Sequence, residues 1–217
     1  MPAACRPVAC DAAGIPKAIL PMVFSAVFRI QGFLLLLIAA CMILPAAIGL
    51  WCGDGSAQAF LYAMVITFLA GLLCLMLCPA GSRQIGHRES FLVVSLGWIF
   101  AAFFGCLPFL FGRSIPTFTN ACFETVSGFT TTGATILGNV EALAPSMLLW
   151  RSLIQWLGGM GIILFSIAIL PLLGVGGMQL YKAEVPGPVL EKLKPRLVET
   201  ARLLWKIYVA LTAVEAL

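Results

Sequence analysis

Residues 123–136 read FETVSGFTTTGATI, and they lie between two long apolar runs at 90–112 and 147–173. Irregular backbone is not tolerated against lipid, where an unpaired N–H or C=O finds no water to bond. Three consecutive threonines, two glycines and a glutamate must therefore either lie outside the bilayer or line something polar inside it. The choice between these two decides the fold.

The rest of the chain sets the medium. It is 61% apolar and 10% charged over 217 residues, with a mean hydropathy of +1.05. These values, with apolar runs of about 20 residues, predict an all-α integral membrane protein. Four spans can be read, at 30–51, 59–78, 90–112 and 147–173, and a fifth begins near Ala201 and runs to Leu217. The basic leader before the first run, with the Pro45-Ala46-Ala47 triplet inside it, also fits a signal peptide. The run is too long for a typical signal core and lies far from Met1, which favours a retained span.

Orientation follows from the basic residues. With residues 1–29 in the cytoplasm, Arg6, Lys17, Arg29, Arg83, Arg88, Lys182, Lys192, Lys194, Arg196, Arg202 and Lys206 fall inside or at the inner boundary. Only Arg113 and Arg151 stay outside, and the opposite orientation would reverse this strong positive-inside bias. The threonine-rich segment is then outer, between the third and fourth spans.

Several chemistries are excluded or weakened by what the chain lacks. An intramembrane protease needs a nucleophile with a base, or paired aspartates. The two aspartates, Asp11 and Asp54, lie outside the spans, and Ser127 has no histidine near it in the membrane. The single histidine, His87, is read as a solvated loop residue. Cys41, Cys74, Cys78 and Cys106 fall within apolar runs, where a free cysteine packs as a small hydrophobe. Neither an organic cofactor nor nucleic-acid binding is indicated.

Residues 115–128 (IPTFTNACFETVSG) are too few to span but enough for three or four helical turns. Pro116 suits a helix start, Thr117 or Thr119 a cap, and Ser127-Gly128 a stop. The apolar surroundings favour a half-helix dipping in from outside, its C-terminal end carrying about half a negative charge toward the bilayer middle. The chain then returns through FTTTGAT, where Gly133 suits a backbone with φ > 0. Carbonyl oxygens along such a return can replace the water shell of a dehydrated cation. A polar outer loop is the competing reading, and Glu124 weakens it, because a carboxylate among Phe123, Val126 and Phe129 needs a buried donor or a cation.

The run FETVSGFTTTGATIL, then LLWRSLIQWLGGMGIILFSIAILPLLGVGG and the loop YKAEVPGP, closely resembles the TrkH/KtrB family of bacterial potassium transporters, TrkH more than KtrB. The resemblance extends from Phe28 onward and includes the Leu44-Pro45-Ala46 turn. It implies four membrane-pore-membrane repeats around one K⁺ pore, preceded by two extra helices. Residues 30–78 are then the leading pair, 79–173 the first repeat, with pore helix 115–128 and filter 130–135, 174–200 a cytoplasmic loop, and 201–217 the start of a second repeat. Thr131, Thr132 and Gly133 fall on filter positions, with their main-chain oxygens as K⁺ ligands. Thr130, Ala134, Glu124, Gly128 and Arg151 are expected to support them, Arg151 by pairing with Glu124 or Glu141, although snorkelling alone would also account for it. The resemblance further implies a bacterial inner-membrane location, a homodimer of full-length chains, and a cytosolic nucleotide-binding regulatory subunit of the TrkA kind at the 174–200 side. One departure stands out: repeats two to four are not among these 217 residues. The Trp156-Leu157-Gly158-Gly159-Met160-Gly161 stretch reads as close helix packing, with a hinge near the pore as the alternative.

Overall fold

Prolines stand just past interruptions in two of the apolar runs, which continue as helix. The computed structural model describes residues 19–78, 87–169 and 190–215. Helix α1 (Ile19–Cys41) continues into α2 (Ile43–Cys52) through Met42, whose N–H is shared between the Ile38 and Ala39 carbonyls at 3.2 Å each. Pro45, three residues further on, has no N–H to continue the ladder, which suits an interruption at Met42. Helix α4 (His87–Gly105) passes into α5 (Leu107–Phe111) in the same way, with Pro108 just past the break at Cys106. Helix α3 is Ala57–Leu77, α6 is Phe118–Phe129, α7 is Pro145–Ile169 and α8 is Leu190–Glu215. No strand occurs among the described residues.

Three segments, Ser25–Cys52, Ala57–Leu77 and Phe91–Phe111, are long and apolar enough to cross a membrane. Only 22–33% of each is buried within the chain. Leu37, Leu69, Leu73 and Met76 are among the apolar side chains left exposed, as expected of faces meeting lipid or neighbouring helices. Trp51, 91% exposed at the end of α2, suits a membrane–water boundary.

The helices meet through small residues and a few polar bonds. A Cβ on Gly32 of α1 would lie 2.9 Å from the Gly71 carbonyl oxygen of α3, so this crossing requires its glycine pair. Gln31, fully buried, donates from Nε2 to the Val93 carbonyl of α4 at 2.6 Å. The core joins Met42, Phe60, Phe109, Met147, Trp150 and Ile154. Trp150 packs edge-on against Phe60 and donates its indole N–H to the Gly105 carbonyl at 2.9 Å, in the α4–α5 break. Helix α8 packs on α7: the Tyr208 hydroxyl donates to the Trp156 carbonyl at 3.1 Å, and the Trp156 indole donates to Thr212 at 3.0 Å.

The turn between α2 and α3 is tied to the start of α7. Gly53 (φ 64°) and Gly55 (φ 75°) flank Asp54, whose Oδ1 accepts from the Ser56 N–H at 2.9 Å. Its Oδ2 accepts from the Ser146 N–H at 3.2 Å and the Ser146 hydroxyl at 2.6 Å. Asp54 thus caps α7 from 92 residues away, at the end of the helix where the macrodipole favours an anion. Burial pushes its carboxyl up, but the Ser146 and Ser56 hydrogen bonds outweigh this and hold it below its ordinary value.

Several boundaries differ from the sequence reading. The helix expected at 115–128 runs from Phe118 to Phe129. Thr117 takes the cap position, but its hydroxyl makes no capping bond, and Pro116 precedes the helix. His87 is the first residue of α4 rather than a loop residue, and α1 begins at Ile19, inside the segment 1–29. Residues 190–200, read as part of a loop, are helical in α8. Hydropathy marks where a chain can enter lipid, and a helix extending beyond the bilayer leaves no mark on it. The expectations for Arg6, Lys17, Arg83 and Lys182, and for loop residues 174–189, lie outside the described residues.

Candidate functional site: the α6 terminus and its return segment

Helix α6 lies along the first half of α7 and runs in the same direction. Glu124 meets Arg151, Gly128 meets Ile154 and Phe129 meets Gly158, so the contact numbers rise together on both helices. A Cβ on Gly158 would lie 2.0 Å from the Phe129 carbonyl oxygen, so the end of α6 packs against backbone that only glycine leaves room for. Gly158 is about 20 Å along α7 from its start at Pro145, at 1.5 Å per residue. Helix α6 has 12 residues, about 18 Å, and ends beside the middle of α7. Gly158 packs against the α6 terminus, the close-packing role expected for this stretch.

That terminus is a Schellman motif with an unusual residue in its key position. The Thr132 N–H donates to the Ser127 carbonyl and the Thr131 N–H to the Gly128 carbonyl, both at 3.0 Å. The residue at the left-handed position of this motif is usually glycine; here it is Thr131, with φ 55°. A β-branched residue there is an outlier whose strain is of the order of 1–3 kcal/mol. Two residues later Gly133 has φ 77° with nothing near the position of an added Cβ, as the sequence suggested. The stop expected at Ser127-Gly128 falls one to two residues late, because Gly128 stays helical where it lets α6 approach Ile154.

The returning chain is pinned to α6 along its back. The Ser127 hydroxyl donates to the Ala134 carbonyl at 2.6 Å. The Thr135 hydroxyl lies 3.0 Å from both carboxylate oxygens of Glu124, and the Ile136 N–H donates to Oε2 at 3.1 Å. Arg151 Nε donates to Oε1 at 2.5 Å. Glu124 is 1% exposed, so this carboxylate has been taken out of solvent and given two side-chain donors, a backbone donor and a counter-charge. Glu124 is the buried member of the pair and Arg151 the partly exposed one, so removing Arg151 strands a buried charge.

The opposite side of the return is open. Residues 130–136 are exposed within this chain. Thr130 folds its hydroxyl onto the Val126 carbonyl at 2.7 Å and meets the Thr132 hydroxyl at 2.8 Å. The Thr131 hydroxyl donates to the Thr130 carbonyl at 2.7 Å. The carbonyl oxygens of Thr131, Thr132 and Gly133 accept no hydrogen bond among the described residues. The segment thus carries three carbonyls without a partner among the described residues, on backbone held from behind by α6.

All the residues singled out from the sequence come together here: Thr130, Thr131, Thr132, Gly133 and Ala134 in the return, Glu124 and Gly128 behind it, and Arg151 on α7. Arg151 pairs with Glu124, whereas Glu141 bonds through its N–H to Asn139 Oδ1 at 3.1 Å. The sequence reading missed Ser127 and Thr135 as pins. The spacing of Glu124 and Ser127 at i, i+3 places both on one helix face and is the signal that could have found Ser127.

The sequence profile of the family described as "TrkH: Cation transport protein" matches residues 56–217. The chain is 45% identical over 198 residues to the Trk system potassium uptake protein TrkH of Salmonella typhimurium, covering 90% of this chain and 41% of that protein. It is 37% identical over 179 residues to the Trk system potassium uptake protein TrkG of Escherichia coli K12, covering 82% and 37% respectively. The crystal structure of the potassium transporter TrkH from Vibrio parahaemolyticus superposes with a TM-score of 0.74 at 36% identity, over 88% of this chain and 38% of that one. The chain spans about 41% of the length of the curated TrkH relatives.

Proposed function

This chain belongs to the TrkH family of cation transport proteins, and from that premise we propose that residues 130–135 form one side of a K⁺-selective filter. The carrying observation is that the Thr131, Thr132 and Gly133 carbonyls have no partner among the described residues, on a segment pinned from behind by Ser127 and Glu124. A dehydrated K⁺ needs carbonyl oxygens converging on it, and these oxygens have no other partner among the described residues. The C-terminal end of α6 adds a fixed negative potential at mid-depth. Thr130, Ala134, Gly128, Glu124 and Arg151 hold the ladder without touching the ion.

One segment supplies one side of a cage. The other sides are expected from further repeats, in keeping with relatives more than twice this length. Residues 30–78 act as a leading helix pair, 79–173 as the first repeat and α8 as the opening helix of the next. The protein sits in the bacterial inner membrane with its N-terminus and the 174–200 side in the cytoplasm, the latter facing a nucleotide-binding regulatory subunit. Full-length chains pair as homodimers. A non-conducting scaffold is the second reading, and the coverage of the relatives favours it for these 217 residues taken alone.

The test is K⁺ and Na⁺ uptake by the full-length transporter in cells lacking their own potassium uptake. Gly133→Val or Gly133→Asp should relax K⁺ over Na⁺ selectivity or abolish uptake, because a β-branched valine is strained at φ 77° and an aspartate adds a charged side chain beside the carbonyls. Unchanged selectivity at normal expression would place the filter elsewhere.

A further inference from the structure

Two thiols with no part in the filter meet where α6 packs on the α4–α5 break. Cys106 occupies the break itself and is fully buried; Cys122, in the second turn of α6, is half-buried. Their sulfurs are 3.6 Å apart, and the Cys106 thiol also approaches the Phe103 carbonyl at 3.1 Å. A disulfide has an S–S distance of about 2.05 Å, so the two must close by about 1.5 Å. Cys122 also lines a cavity of about 400 Å³ between α4 and α6, walled by Trp98, Ile99, Phe103, Val126 and Phe129. A cavity so lined takes a hydrocarbon-soluble molecule in preference to a hydrated one.

We propose that Cys106 and Cys122 are an oxidisable dithiol, closed to a disulfide by an organic hydroperoxide that reaches Cys122 through this cavity. The Cys122 sulfur attacks the terminal peroxide oxygen; the O–O bond breaks, an alcohol leaves with the thiol proton, and Cys122 becomes a sulfenic acid. The Cys106 sulfur then attacks the Cys122 sulfur, the S–O bond breaks, and hydroxide leaves with the second thiol proton as water. The two sulfurs together lose two electrons, which the peroxide gains. The accessible thiol is the one oxidised first and the buried one resolves it, consistent with the dependence of thiol reactivity on access. The bond closes a loop across 16 positions and ties α6 to the break two residues before Glu124. The proposal does not depend on the transport reading.

The test uses membranes from cells making the protein from its own gene. Samples are treated with cumene hydroperoxide or hydrogen peroxide at equal concentration, alkylated, digested and mapped by mass spectrometry. A linked peptide containing Cys106 and Cys122 is expected, reversible by dithiothreitol and formed several-fold faster with cumene hydroperoxide. It should vanish in Cys122→Ser and in Cys106→Ala. Recovery of both thiols as alkylated cysteines, linkage of Cys122 to another cysteine, or sulfinic acid at Cys122 without a link would overturn the pair. Equal rates with the two oxidants would overturn the cavity route.

Discussion

The chain reverses between α2 and α3 with glycine at both left-handed positions, Gly53 and Gly55, and reverses after α6 with threonine at one of its two, Thr131. Both reversals are held by a carboxylate. Asp54 sits in the first turn and caps α7, and its environment is partly solvated; Glu124 sits behind the second and is buried with Arg151. A turn that only has to reverse the chain uses the residue that adopts positive φ without steric cost. The second turn keeps a strained β-branched residue and a desolvated ion pair, both of which persist only where surrounding contacts dictate them. The difference supports the proposal that the second reversal is the site and the first is scaffold.

The contrast breaks most visibly if the carboxylates behave alike when deprived of partners. Arg151→Ala should cost about 3–5 kcal/mol, because Glu124 would remain buried and unpaired. Thermal unfolding of the purified transporter would show the loss, with K⁺ uptake falling with it. Gly158→Ala comes next. Its Cβ would meet backbone of the α6 terminus rather than a movable side chain, so about 1–3 kcal/mol of overpacking is expected together with a displaced return segment. Reduced selectivity at near-normal expression would be its signature in uptake assays.

Thr131→Gly sharpens the comparison because stability and function should part. Relief of the left-handed strain should stabilise the fold by about 1 kcal/mol, while the freed backbone loosens the ladder and lowers K⁺ over Na⁺ discrimination. Gly55→Thr should do the reverse, lowering stability and leaving selectivity alone. The smallest effect belongs to Asp54→Asn, about 0.5–1 kcal/mol for the weakened cap. Asp54 has a folded-state carboxyl below its ordinary value of 3.8. Its contribution is therefore complete above that value and is lost as pH falls through the lower folded-state value. Unfolding measured from pH 6 down to pH 3 should show a slope in the native protein that Asp54→Asn lacks in part.

Much of this was legible in the sequence because membrane helices announce themselves by length and hydropathy. The spans expected at 59–78 and 90–112 lie within one to three residues of α3 and of the α4–α5 pair. The all-α fold could be read from composition and the family from its motifs; the apolar surroundings of Glu124 demanded a partner, but left open whether a donor or a cation supplied it, and Arg151 was open between Glu124 and Glu141. What escaped was conformational or distant. No sequence signal assigns positive φ to a threonine beside an available glycine. Nor does any pattern in one sequence join Asp54 to Ser146 or Trp150 to Gly105, since those bonds depend on how helices far apart in the chain come together.

The central claim is that main-chain oxygens of Thr131, Thr132 and Gly133 face the ion. Crystals of the complete transporter soaked in Rb⁺, with anomalous scattering located at the rubidium edge, test it without relying on transport rates. The account predicts an anomalous peak in contact with these carbonyl oxygens, weakened in Gly133→Val. A peak at the Glu124 carboxylate, or ordered Rb⁺ elsewhere with none at this ladder, would contradict it.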